Sequence, residues 1–159
     1  MSTTQRDEKP APSDGVGDDL SGLPDHIVLY DGVCGLCHRG VRSLMGLDRD
    51  RILHFAPLQG ETAARLGIVW EDDGPASADT FVFVDNTGPE PVHHERMDGV
   101  AAELRAIGRL APVAAIIRHT PKRIADGAYK VIAASRYRLF GKFDQCELPT
   151  RSQRERFLP

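Results

Sequence analysis

Cys34 and Cys37 stand three positions apart in the stretch YDGVCGLCHRGV, with His38 directly after them. These residue types at this spacing suit reversible disulfide formation, metal ligation or covalent haem attachment. A zinc site needs four ligands, commonly two such cysteine pairs or one pair with two histidines. The available donors are Cys34, Cys37, His38 and the distant Cys146, with His93 and His94 as spares, and no second pair has the usual spacing. Haem would attach through Cys34, Cys37 and His38, but c-type haem is normally added after export, and no export signal is expected at this N-terminus. Two inert buried thiols at a helix start are the plain alternative. Redox chemistry is the preferred reading, so neither a cofactor nor a metal is expected.

A redox pair works best where a strand ends and a helix begins, because unpaired N–H groups and the helix dipole stabilise a thiolate there. The sequence supplies that junction. HIVLYD (His26 to Asp31) is an apolar run that predicts a strand buried on both faces. From Cys34 the period changes: Cys37, Val41, Leu44 and Met45 fall on one helical face, ending near Leu47. RILHFAPL predicts a second strand to about Pro57, and ETAARLGI a short helix stopped by Gly67. After the loop VWEDDGPASA, DTFVFVD reads as a third strand and PVHHERM as its antiparallel partner. Met97, Val100, Leu104 and Ile107 mark a further helix. Thr120 and Pro121 predict an N-cap and first helical residue, with Ile124, Ala128, Val131, Ile132 and Leu139 on one face of the helix they start. Thr150 and Gln153 have capping-box spacing, which predicts a last short helix. A β-α-β unit followed by a β-β-α unit, with added C-terminal helices, is an α/β fold of thioredoxin-like arrangement.

Bulk properties narrow the setting. Residues 1–24 are rich in Pro, Gly, Ser and Asp and are expected to be a disordered leader, leaving residues 25–159 as one domain. A formal net charge of −3 gives no electrostatic reason to expect nucleic acid. No stretch approaches the ~18–20 apolar residues of a membrane span. LAPVAAII (Leu110 to Ile117) comes nearest and stops at Arg118 and His119. With no export signal expected, the default address is a reducing cytoplasm, and three cysteines, an odd number, argue against a disulfide framework.

At Asp31, Cys34 and Cys37, in DGVCGLC, the chain resembles the DCC family of thiol-disulfide oxidoreductases, named for that Asp, Cys, Cys signature. The likeness continues through HRGVRSLMGLDRDRILHFAPLQ and returns in RYRLFGKFDQCELP, covering roughly Ile27 to Pro159. The resemblance implies a thioredoxin-like fold and a thiol-disulfide exchange role, and it carries over Asp31, Cys34 and Cys37 as signature residues. Cys34 would attack a partner disulfide and Cys37 would resolve the intermediate. Asp31 either relays the proton of the resolving thiol or shapes the turn with Gly32, and the turn role is preferred. Gly32 and Gly35 would let another backbone approach. The wider superfamily usually has a cis-proline before the third strand. Here that place reads SADTFVF, with Asp79 and Thr80 and with Pro75 too early, so substrate binding is expected to differ. Cys146 is expected to be structural, His38 to be exposed without function, and Trp70 to be a packing residue.

The expected function is therefore a thiol-disulfide oxidoreductase of protein-disulfide reductase type. Its partners would be a protein or small-molecule disulfide and an unidentified reductant. The competing reading is a non-enzymatic module of the same fold, with structural or metal-binding cysteines.

Overall fold

The structure, a computed structural model, describes residues 22–68, 81–141 and 153–159. Most of the expected leader, the loop with Trp70, Pro75, Asp79 and Thr80, and the segment with Cys146 and Thr150 lie outside them. The elements in chain order are β1 (His26–Tyr30), α1 (Gly35–Leu47), β2 (Leu53–Pro57), α2 (Glu61–Arg65), β3 (Phe81–Asp85), β4 (Val92–Glu95), α3 (Arg96–Ala106), α4 (Ala111–His119) and α5 (Lys122–Phe140). Arg154–Arg156 form a single 3-10 turn.

The strands form a four-stranded mixed sheet in the order β2-β1-β3-β4. β1 runs parallel to β2 and antiparallel to β3, and β3 is antiparallel to β4. This is the thioredoxin-like core that the element order predicts. Central β1 is apolar on both faces because both are covered. Val28 and Tyr30 meet Val41, Phe55, Phe83 and Leu104 on one side, and Ile27 and Leu29 meet Leu58, Ala63, Leu66 and Val82 on the other. Gly99 lets α3 descend onto β4: a Cβ there would lie 2.6 Å from the His94 carbonyl oxygen.

Toward the C-terminus the structure corrects or refines the sequence expectations. Thr120 does not cap α5: it is the C-cap of α4, where its backbone N–H (3.0 Å) and its Oγ1 (2.8 Å) both donate to the Ile116 carbonyl. The Pro121 carbonyl instead accepts the first α5 bonds, from Ile124 and Ala125. The apolar positions of α5 do share a face, but Ile124, Val131 and Leu139 are exposed at 62%, 70% and 69%. The expected last short helix is present as the 3-10 turn Arg154–Arg156, with Gln153 at its N-cap. After the 3-10 turn, Phe157 bridges parallel to Phe55, Leu158 N–H donates to the Phe55 carbonyl, and Thr62 N–H donates to the Pro159 carbonyl. The chain end thus covers the outer edge of β2, which would otherwise present unpaired backbone groups.

Candidate active site

β1 delivers the chain to Asp31, and a tight turn carries it into α1. Asp31 Oδ1 accepts from Val33 N–H (3.1 Å), and the Asp31 carbonyl accepts from Cys34 N–H (3.2 Å). This places Cys34 at the N-cap of α1 in an extended conformation (φ −92°, ψ 117°), where its Sγ accepts from Cys37 N–H at 3.4 Å. The sulfur therefore takes the role usually filled by a serine or aspartate oxygen. Donation from Cys37, from its thiol and then its backbone, holds the Cys34 thiol down to about 7, against the opposing effects of burial and of the Asp31 charge. Cys37 moves the other way. Its bond to Cys34, its burial and the Cys34 charge push its thiol well above the usual range. Cys34 is fully buried, and Cys37 is partly exposed.

Gln59 and His38 brace the turn. The Gln59 side chain accepts from Gly32 N–H through Oε1 (3.2 Å) and donates to Asp31 Oδ1 through Nε2 (3.0 Å). A Cβ at position 32 would sit 3.2 Å from Gln59 Oε1, which is the close approach that Gly32 permits. His38 is buried, contrary to expectation. Four residues after Cys34 on α1, it faces back beneath the loop, with Nε2 2.8 Å from the Gly32 carbonyl. A carbonyl only accepts, so Nε2 carries the proton; the ring meets Tyr30 edge-on. The backbone that approaches Gly35 belongs to this same chain, because Gly35 N–H donates to the Gly141 carbonyl (3.3 Å) just past α5.

Beside Cys37, helices α1, α3 and α5 border a cleft of about 320 Å³ whose lining includes Leu44, Phe81, Val100 and Glu103. Glu103 is fully buried, and neither carboxyl oxygen has a hydrogen-bond partner among the described residues. Burial, with the charge of Asp48 adding to it, pushes its carboxyl up to about 8. Among the described residues no three His, Cys, Asp or Glu side chains gather as a metal would require. No described helix is long and apolar enough to cross a membrane.

The sequence reading missed Gln59 and Glu103 as site residues. Gln59 lay within the family-like FAPLQ string without a role. Glu103 carried a signal that went unused: it falls between Val100 and Ile107 at inward helical spacing, a charge where the pattern asks for an apolar residue.

A cysteine pair at the start of the first helix of this sheet defines a thioredoxin-like protein of the thiol-disulfide class. The chain belongs to the DCC1-like thiol-disulfide oxidoreductase family, which it matches over residues 28–142. It is similar to "Uncharacterized protein YuxK" of Bacillus subtilis (strain 168), 34% identical over 138 residues, which are 86% of this chain and 96% of that one. It is also similar to "DCC family protein At1g52590, chloroplastic" of Arabidopsis thaliana, 31% identical over 123 residues, 77% and 69% of the two chains. No solved structure matches the chain.

Proposed function

We propose that this protein is an enzyme that moves two electrons between a Cys34–Cys37 dithiol and the disulfide of a protein or small molecule. The observation that carries this reading is the placement of the pair: Cys34 Sγ caps α1 and accepts from Cys37 N–H at 3.4 Å, an arrangement that holds the Cys34 thiol down and pushes the Cys37 thiol up. Cys34 is the nucleophile. Its thiolate attacks one substrate sulfur, the other leaves as a thiolate, and a mixed disulfide forms. That step removes the negative sulfur that had kept the Cys37 proton in place. Cys37 then loses its proton and attacks Cys34 Sγ, which closes the internal disulfide and releases the second substrate thiolate. Asp31 shapes the turn, since its Oδ1 is held by Val33 and Gln59. Because Cys34 has no exposed surface, exchange requires its cover to yield, and the Gly35–Gly141 bond is one contact to break. An unidentified reductant restores the dithiol. A resting Cys34–Cys37 dithiol suits a reducing compartment such as the cytoplasm.

The test equilibrates the full chain across dithiothreitol redox ratios and counts free thiols by alkylation and intact mass. A two-electron step mapping to Cys34 and Cys37, lost in Cys34→Ser with an unchanged circular dichroism spectrum, is the expected result. Thiols that never pair at any ratio would leave only the interaction module.

A further inference from the structure

Glu103 presents the least explained chemistry in the molecule. It is a buried carboxyl whose two oxygens have no hydrogen-bond partner among the described residues, an arrangement that folded proteins rarely retain without a use. It also belongs to the lining of the cleft between α1, α3 and α5, which includes Leu44, Phe81, Val100, Ile132 and Cys37. The carboxyl has no exposed surface, so a ligand bonds to it only when the Glu103 side chain turns into the cleft that it lines.

We propose that this cleft binds a small aliphatic disulfide, with its apolar tail along the α1–α3 wall and a tail oxygen accepting a hydrogen bond from Glu103. This rests on the redox reading above and specifies its substrate. Of the two cysteines, only Cys37 is both partly exposed and part of the cleft lining, so a disulfide entering there arrives beside Cys37 and meets Cys34 once the cover of Cys34 yields. The apolar walls offer nothing to replace the hydration of a charged peptide, whereas an alkyl chain gains by entering. From Cys37 to Leu44 the α1 wall rises about 10 Å, the length of a short alkyl chain. Burial keeps the Glu103 carboxyl protonated at neutral pH, so it presents an O–H donor suited to a carbonyl or amide oxygen.

The exchange balances. The Cys34 thiolate bonds to one substrate sulfur as the substrate S–S bond breaks. Cys37 then displaces that sulfur from Cys34. Two electrons leave the protein dithiol, which becomes a disulfide. The substrate departs as two thiols, taking one proton from Cys37 and one from solvent.

The test compares oxidised lipoamide, an apolar disulfide with an amide-ended tail, with oxidised glutathione, which is charged. Reduced full-length protein is mixed with each, and oxidation of Cys34 and Cys37 is followed by alkylation and intact mass. Lipoamide is expected to half-saturate the reaction at a concentration at least about tenfold lower than glutathione. Gly40→Leu places a side chain in the cleft from a position where a Cβ meets nothing within 4 Å, and it should raise the lipoamide value about tenfold. Glu103→Leu should also raise it, while Glu103→Gln, which keeps a donor, should stay close to the parent. Equal use of both disulfides, or lipoamide values unmoved by Gly40→Leu and Glu103→Leu, overturns the cleft assignment and leaves the redox reading standing. If neither disulfide oxidises the pair, the redox reading falls and takes this inference with it.

Discussion

Asp48 and Glu103 are both buried acids beside α1, and they receive opposite treatment. Asp48, at the C-cap of α1, accepts from Ile52 N–H and Leu53 N–H (3.2 and 2.9 Å) and pairs with the Arg156 guanidinium. Arg156 in turn donates from Nε to the Leu53 carbonyl (3.0 Å) and lies over the Phe55 ring. Glu103 has none of this, and the nearby Asp48 charge makes its ionisation harder still. The difference separates two uses of a buried charge. A carboxylate with every bond made fastens the chain end to the α1–β2 corner. One left unpaired is a cost that the fold does not need for itself, which is why it points to a ligand.

Breaking the satisfied member should have the larger effect. Arg156→Met leaves Asp48 charged, buried and short of its counter-ion, a situation that costs about 3–5 kcal/mol. It should also free the chain end from β2. Urea unfolding at pH 7 measures the loss, and adding Asp48→Asn should restore part of it, since Asn removes the unpaired charge while keeping an acceptor for one of the two backbone N–H groups. If the double variant is no better than Arg156→Met, the ion pair is not what holds the corner.

The contrast also shows where local sequence stops being informative. β1 and α1 were legible because a doubly covered strand and an amphipathic helix write their burial into a few adjacent residues. The cysteine pair was legible for the same reason, since its chemistry and its N-cap position lie within one turn. Arg156 and Asp48 are 108 positions apart and Gln59 and Asp31 are 28 apart, so neither partnership leaves a local pattern. Thr120 misled because two helix ends meet there, and its hydroxyl serves the one that has finished. Along α5 the period revealed a stripe, but period alone does not say whether a stripe is covered.

Glu103 should give the second effect, with the opposite sign. The folded state raises its carboxyl from 4.5 to about 8, so between those values the folded protein holds a proton that the unfolded chain has released. The stability associated with this proton is complete below about pH 4.5 and is lost as pH rises through about 8. Glu103→Gln removes the titration, so its advantage over the parent should grow by about 1.4 kcal/mol per pH unit across that window. At pH 7 that is on the order of 3 kcal/mol. Unfolding curves at pH 5, 6, 7 and 8 for both proteins test this, and parallel curves would mean that Glu103 ionises normally and that the comparison with Asp48 fails.

The smallest effect concerns Asp31, a third buried acid, which stands between the other two in kind: it is bonded by Val33 and Gln59, yet its charge opposes a thiolate at Cys34. Asp31→Asn retains an Oδ1 acceptor for both partners and removes the charge. The pH midpoint of Cys34 alkylation by iodoacetamide should therefore fall below its value of about 7, by less than about one unit. The same variant separates the two roles open to this residue. If Asp31 only shapes the turn, release of the second substrate thiol in a single turnover keeps its rate. If it takes up the Cys37 proton, that step slows while the first attack does not. A midpoint that rises would mean that loss of the carboxylate has opened the turn, and that its bonds to Val33 and Gln59 matter more to Cys34 than its charge.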